Sequence, residues 1–148
     1  MPVRNASPDD LGAVGAMIVE HAEHEGAAGQ VRFDAGSLAD AIFGPDPVLG
    51  ALISHLAGSP GTPAGFALWY PTFSSWASSR GVWLEDLYVR PEHRRQGLGR
   101  ELLMALREMT TGRVEWDVFD SNEDAKRFYI GLGARPIEHW TRFRWTLE

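Results

Sequence analysis

The chain has 148 residues, a net charge of −6 at pH 7 and no cysteine, and its length fits one domain with a real hydrophobic core. The missing cysteine excludes disulfides, thiolate metal sites and a cysteine nucleophile, and the negative charge argues against a nucleic-acid-binding protein. Because the sequence shows no secretory leader and no apolar run of membrane-spanning length, we expect a single domain over residues 1–148, in the cytoplasm and without a membrane partner.

Apolar spacing and turn residues predict an alternation of helices and strands. In chain order, the predicted elements are a helix that starts at Ser7-Pro8-Asp9-Asp10 and closes at Gly26, a helix from Asp34 to Phe43, a hairpin of strands 48–56 and 65–70, a strand from Val82 to Val89, a helix from Gly97 to Met109, a strand from Val114 to Phe119, a helix capped by Ser121 that ends before Gly133, and a strand from Trp140 to Leu147. This order predicts an α/β (α+β) fold, with a mixed sheet flanked by helices.

The most informative segment is 85–100, where a strand, a basic loop with two glycines and a helix follow one another. This order builds an anion site, because glycines let successive N–H groups converge and the helix N-terminus adds partial positive charge. The expected guest is a phosphate or pyrophosphate, and the alternative is an ordinary strand-to-helix connection. The basic and glycine residues of the loop are Arg94, Arg95, Gly97, Gly99 and Arg100.

The pattern Arg94-x-x-Gly97-x-Gly99 lacks the third glycine of a dinucleotide-binding turn and the Gly-Lys-Ser/Thr of a P-loop. It resembles the pyrophosphate loop of the GCN5-related N-acetyltransferase (GNAT) superfamily. The strand Leu84-Glu85-Asp86-Leu87-Tyr88-Val89 is similar to that of its diamine and polyamine branch, the spermidine/spermine and thialysine acetyltransferases. Further matches between Val3 and Trp145 are His24-Glu25, Phe43-Gly44-x-x-Pro47, Phe73-Ser74-Ser75-Trp76, Asp120-x-Asn122, Phe128-Tyr129 and Leu132-Gly133-Ala134.

The resemblance implies a GNAT fold, a central, mostly antiparallel twisted sheet with a splayed central strand pair, and acetyl-CoA as co-substrate with no metal. Backbone N–H groups of the loop would hold the pyrophosphate, and the pantetheine arm would pair with the exposed strand like an added strand. The Val89 N–H would polarise the thioester carbonyl. Asn122 would hydrogen-bond the pantetheine or, alternatively, cap a helix. The expected cofactor contacts are Leu87, Tyr88, Val89, Arg94, Arg95, Gln96, Gly97, Gly99, Arg100 and Asn122.

Two residues are candidates for proton transfer, and a third lies beside one of them on the same strand. By resemblance, Tyr129 is the general acid that protonates the departing thiolate, and the alternative is a core aromatic beside Phe128. Also by resemblance, Glu85 accepts a proton from the incoming ammonium through a water, while Asp86 lines the substrate channel or fixes the strand. As strand neighbours, these two carboxylates are expected to face opposite sides of the sheet. The alternative is that both simply cap a strand end at the surface.

The end of the first helix carries further acidic residues. Glu25 matches the residue that would bind the distal ammonium of a diamine, whereas His24 stands where the branch usually has tyrosine, so thialysine-like amino acids, other diamines and small amines stay open. We interpret Glu20 and Glu23 as a solvated helix face. Trp76 either stacks on the substrate or packs against a second subunit, because the family commonly forms homodimers.

The leading hypothesis is an N-acetyltransferase that moves an acetyl group from acetyl-CoA to a primary amine of a small cationic substrate. The amine would attack directly within a ternary complex. A protein or peptide N-acetyltransferase and a non-catalytic acyl-CoA-binding module are the alternatives.

Overall fold

A computed structural model describes residues 2–147 of the chain. Within them the helices are α1 (Leu11–His24), α2 (Ala35–Phe43), α3 (Leu98–Glu108) and α4 (Glu123–Gly131), and the strands are β1 (Val3–Asn5), β2 (Gly50–His55), β3 (Pro63–Ser74), β4 (Ser79–Val89) and β5 (Val114–Glu115). The chain divides into two compact units, Met1–Trp116 and Asp117–Glu148. None of the helices in the described range is long and apolar enough to cross a membrane.

The first unit contains a five-stranded sheet in the order β1-β2-β3-β4-β5. The first three strand pairs are antiparallel, and β5 runs parallel to β4. The β4–β5 ladder contains only the pairs Val82↔Val114 and Trp83↔Glu115. The strand β4 therefore continues to Val89 beyond its ladder with β5. The predicted mixed, mostly antiparallel sheet with flanking helices is confirmed.

The core lies on both faces of this sheet. One face packs against α1 through a buried cluster made of Val14, Met17, Ala51, Ile53, Phe66, Leu68 and Tyr88. The leucines of α3 are buried against the alternate strand positions on the other face. Helix α1 therefore covers the face that carries Tyr88, and α3 begins directly after the loop that follows β4.

Most predicted elements are present with small shifts of their ends. Strand β1 was not predicted, because its three residues are too few for a readable pattern. The strand predicted to run from Val114 to Phe119 ends at Glu115. The cap of α4 is Asn122 rather than Ser121, since Asn122 Oδ1 accepts a hydrogen bond from the Ala125 N–H at 3.1 Å.

The prediction of a final strand from Trp140 to Leu147 is wrong, because residues 140–147 form no strand. Apolar residues alternate along this segment, and alternation is typical of a strand. Phe143 and Trp145, however, are 92% and 90% exposed. A strand forms only where a neighbouring strand completes its hydrogen bonds, and no such ladder includes this segment in the described residues.

An ion pair fixes the start of α1 to the sheet. Arg4 on β1 donates from Nη1 and Nη2 to the two carboxylate oxygens of Asp10 at 2.7 and 2.9 Å. Its guanidinium also donates to the Pro60 carbonyl, in the turn between β2 and β3, at 3.0 Å. The hydrogen bonds from Arg4 lower the pKa of Asp10 to about 2, although burial acts in the opposite direction. The pair therefore connects β1, this turn and α1.

We expect Asp10→Asn to lower the free energy of unfolding by about 2 kcal/mol at pH 7. The native pKa of Asp10 lies below its usual value of 3.8, so the ion pair stabilises the fold above about pH 4 and this contribution is lost as the pH falls towards 2. Urea unfolding at pH 7, 4 and 2.5 measures the free energy of unfolding of the variant and of the wild type. The difference between the two should become smaller as the pH falls. Asp9→Asn, at an exposed neighbouring position, is the control. A difference that does not change with pH would contradict the assignment.

Candidate active site

The loop between β4 and α3 contains two residues with left-handed backbone. Arg95 has a φ of 62° and Gly97 a φ of 81°, and Gly97 is the N-cap of α3. Glycine adopts this conformation freely, whereas arginine loses roughly 1 kcal/mol in it. Left-handed residues in such loops form concave arrangements of N–H groups, and the first amides of a helix have no partner within the helix. The backbone of this loop therefore suits an anion, and the anion site itself stays a prediction.

The basic side chains of this loop differ in their contacts: one is bonded to the end of β4, and the other two are exposed. Arg94 donates from Nε to the Val89 carbonyl at 2.8 Å, and its guanidinium carbon lies 5.6 Å from the centre of the Tyr88 ring. Arg94 therefore holds the loop against the end of β4. Arg95 and Arg100 are exposed, so their charges are accessible to an anion. Gln96 is exposed and Gly99 half-buried.

The predicted pantetheine-binding segment, Leu87 to Val89, lies at the end of β4. On one side it pairs with β3, where Gly65 is opposite Val89. On the other side the β4–β5 ladder ends at Trp83, which fits the predicted addition of an extended, amide-rich arm to the strand edge.

Gly65 was missed by the sequence reasoning. A side chain there would place its Cβ 2.5 Å from the Tyr88 carbonyl oxygen, so only glycine lets β3 lie this close to β4.

One residue of β4, Glu85, interrupts the ladder between β3 and β4. Leu68 on β3 is opposite Asp86, but the next residue of β3, Trp69, is opposite Leu84. Glu85 is therefore one extra residue in β4, which makes a β-bulge. An extra residue shifts the alternation of side chains beyond it. The prediction that Glu85 and Asp86 face opposite sides of the sheet is therefore wrong.

Both carboxylates lie on the face of the sheet that α1 covers. Asp86 is opposite Leu68, which belongs to the core cluster under α1. Tyr70 is two residues from Leu68 and hence on the same face, and Trp83 is opposite Tyr70. The indole Nε1 of Trp83 donates a hydrogen bond to Glu85 Oε2 at 3.1 Å. The bulge thus places two adjacent carboxylates on one face, with Glu85 exposed and Asp86 half-buried.

The end of α1 adds a third carboxylate to this region. His21 Nε2 lies 3.7 Å from Glu25 Oε1, and His21 Nδ1 lies 3.7 Å from Asp86 Oδ1. The structure therefore brings the predicted substrate residues Glu25 and Asp86 to the same histidine ring. His24 is exposed, and Trp76, in the turn between β3 and β4, is 88% exposed.

The sequence reasoning gave His21 no role. Its ring stacks on Tyr88 with 5.3 Å between ring centres and 28° between planes. Burial raises the pKa of Tyr88, and the negative charge of Glu20 adds to this effect, so the phenol is neutral near pH 7. In the sequence, the only local indication that His21 belongs to this site was its spacing of four residues from Glu25. This spacing places the two side chains on one side of a helix.

The prediction of a solvated Glu20 is also wrong. Glu20 Oε2 accepts from Arg90 Nη2 at 3.1 Å, and Arg90 Nη1 donates to the Pro63 carbonyl at 3.2 Å. Arg90 directly follows β4, so this pair joins the second half of α1 to the ends of two strands. Glu23 is exposed, as predicted.

The second unit contains the two remaining predicted residues. Asn122 caps α4 through its side-chain oxygen, which agrees with the alternative interpretation of that residue. Tyr129 is half-buried in the last turns of α4, and its ring centre lies 5.4 Å from that of Phe128. A role for either residue towards a cofactor stays a prediction.

Comparisons with known proteins agree with the fold. The model of the Acetyltransferase (GNAT) family matches residues 22–134. A thialysine N-epsilon-acetyltransferase from Sus scrofa is 33% identical over 99% of this chain and 92% of its own length. An L-ornithine N5-acetyltransferase from Arabidopsis thaliana is 38% identical over 56% of this chain and 38% of its own. The crystal structure of a probable acetyltransferase matches with a TM-score of 0.79 and 23% identity, over 100% and 99% of the two chains. The chain belongs to the GNAT acetyltransferase family and is an acyltransferase.

Proposed function

We propose that this protein transfers an acetyl group from acetyl-CoA to a primary amine of a small cationic substrate, a diamine, a polyamine or a thialysine-like amino acid. The observation that carries the proposal is the bulge in β4, which brings Glu85 and Asp86 to the face where Glu25 lies. Several carboxylates on one face suit a substrate that carries more than one positive charge. Two relatives are named for thialysine and L-ornithine, which are amino acids with a side-chain amine, so such amino acids are the first substrates to test.

The loop and the strand edge support acetyl-CoA as the co-substrate. The left-handed turn through Arg95 and Gly97 and the N-terminus of α3 suit a pyrophosphate, and the edge of β4 beyond Trp83 suits the pantetheine amides. When bound, acetyl-CoA supplies an activated acetyl thioester. In this proposal the loop amides hold the phosphates, and the Val89 N–H polarises the thioester carbonyl.

The proposed reaction is a direct attack of the amine on the thioester carbon within a ternary complex. Glu85 accepts a proton from the substrate ammonium through a water, which leaves a neutral amine as the nucleophile. A carbon–nitrogen bond forms, the carbon–sulfur bond breaks, and the Tyr129 phenol donates a proton to the departing thiolate. The attacking nitrogen loses its extra proton to water, and the phenolate recovers a proton from water. Asp86 and Glu25 hold the cationic groups of the substrate. The role of Tyr129 rests on its sequence match alone.

The test is CoA release from acetyl-CoA with a panel of amines: thialysine, L-ornithine, L-lysine, putrescine, spermidine, spermine, an aminoglycoside and a peptide with an unblocked N-terminus. We expect turnover with at least one small amine that carries two or more charges. Turnover with the peptide alone would replace the small-molecule proposal by a peptide N-acetyltransferase.

We further propose a cytoplasmic homodimer in which the exposed Trp76 contacts the second subunit. Trp76 is 88% exposed, and aromatic residues are enriched where protein surfaces meet. Sedimentation of the wild type and of Trp76→Ala measures the oligomeric state. A wild-type monomer at micromolar concentration would rule the dimer out.

We expect Gly97→Val to weaken acetyl-CoA binding by about ten- to a hundredfold, because the branched side chain stands where the backbone must approach the phosphates. Gly58→Val is the matched control. Gly58 has nearly the same φ, 78°, and neither glycine has an atom within 4 Å of an added Cβ. Both variants should lose similar stability, but only Gly97→Val should lose affinity in a calorimetric titration. Equal affinities of the two variants would remove the loop from the cofactor site.

We expect Glu85→Gln to lower kcat about a hundredfold while acetyl-CoA binding stays unchanged, because glutamine cannot accept the proton of the ammonium. Glutamine can still accept the hydrogen bond from Trp83, so the local structure is retained. Glu23→Gln, on the exposed side of α1, removes the same charge outside the cluster and should retain full activity. A kcat for Glu85→Gln within twofold of the wild type would exclude Glu85 as the base.

We expect Tyr129→Phe to lower kcat by about a hundredfold with little change in acetyl-CoA affinity, because phenylalanine keeps the ring and loses the proton donor. Steady-state kinetics together with a binding titration separate the two effects. Tyr70→Phe removes a phenol from β3 and serves as the control. If turnover is unaffected, Tyr129 has no part in the mechanism.

A further inference from the structure

His21 lies between two carboxylates from different parts of the chain. Its Nε2 lies 3.7 Å from Glu25 on the same helix, and its Nδ1 lies 3.7 Å from Asp86 on β4. Each ring nitrogen thus faces one carboxylate. A neutral imidazole carries a single N–H, whereas an imidazolium carries two. Only the charged ring presents an N–H to each carboxylate, and at 3.7 Å each contact is an ion pair rather than a hydrogen bond.

We infer that His21 is a specificity-determining residue whose imidazolium takes the place of a substrate cation between Asp86 and Glu25. The inference rests on the proposed function, since it concerns the carboxylates assigned there to the amine. A substrate ammonium that binds these carboxylates competes with the charged ring. Binding of a dication therefore releases the proton of His21, and the affinity for the dication depends on whether the ring is charged.

The surrounding charges decide the size and sign of this effect. On α1, Glu20 is paired with Arg90, which follows β4, so this pair adds no net charge next to His21. Arg94 lies over the Tyr88 ring, and Tyr88 itself is neutral near pH 7. Glu85 lies on the same face and accepts a hydrogen bond from Trp83, whereas the carboxylates at ion-pair distance from the ring nitrogens of His21 are those of Asp86 and Glu25. The ring and these two carboxylates together therefore carry two negative charges when the ring is neutral and one when it is charged.

This difference in net charge determines which substrates bind well. A cluster with two negative charges matches a diammonium ligand, whereas a cluster with one matches a single ammonium. The charge of a histidine ordinarily changes between pH 5 and 8, where primary amines stay protonated and side-chain carboxylates stay ionised. Lowering the pH through this range should therefore weaken binding of a dication while leaving the ligand itself unchanged.

The experiment is calorimetric titration of putrescine into the wild type, His21→Leu and His21→Gln at pH 6.0 and 8.5. Each titration is run in two buffers of different ionisation enthalpy, so that the number of protons released on binding is measured directly. His139→Asn, which replaces an exposed histidine of the second unit, is the control. Leucine retains the packing against Tyr88, and thermal unfolding of each variant checks the fold.

For the wild type and His139→Asn we expect proton release at pH 6.0, none at pH 8.5, and a Kd about tenfold higher at the lower pH. For both His21 variants we expect no proton release and a Kd that changes less than about twofold with pH. Unchanged proton release in the His21 variants, absence of release in the wild type, or absence of putrescine binding would each overturn the inference. The binding measurement is independent of turnover, so an amine panel without acetylation would overturn the proposed function and not this result.

Discussion

The arrangement of the face proposed to bind the amine depends on one extra residue in β4. With Glu85 inserted between Leu84 and Asp86, the ladder with β3 shifts by one position, and Asp86 turns to the side of the sheet that α1 covers. Without the bulge, the alternation of a regular strand would place Asp86 on the side of α3. The contact of Asp86 with His21 follows from this shift, while Glu85, two residues after Trp83, stays on the face of Trp83 and accepts its indole hydrogen bond.

A helix can contribute to such a face only if its position is fixed. Helix α1 is joined to the rest of the first unit at two points, by Arg4 and Asp10 near its start and by Glu20 and Arg90 near its end. The buried Val14 and Met17 lie between these points. Two polar connections and this apolar contact fix both the tilt and the rotation of the helix, so that His21 and Glu25 face β4 and Glu23 faces solvent.

The features that the sequence could predict are those whose cause is local. The glycine loop, the start of α2 near Asp34 and the hairpin of β2 and β3 each depend on residues a few positions apart. The features that could not be predicted depend on distant partners. Glu20 and Arg90 are 70 positions apart, the bulge is defined only by the register against β3, and the alternation in residues 140–147 says nothing about whether a strand is available to pair with it. Local sequence therefore located the glycine loop before α3, whereas the orientation of the carboxylates needed the tertiary structure.

The hydrogen bond from Trp83 to Glu85 also has a spectroscopic consequence. Indole emission responds to the charge and polarity around the ring, and here the ring nitrogen donates directly to the carboxylate proposed as the base. Trp83 is one of six tryptophans in the chain. A variant in which the other five are phenylalanine would therefore carry a single tryptophan at the face proposed to bind the amine, and stopped-flow fluorescence would follow the arrival of an amine before any chemical step.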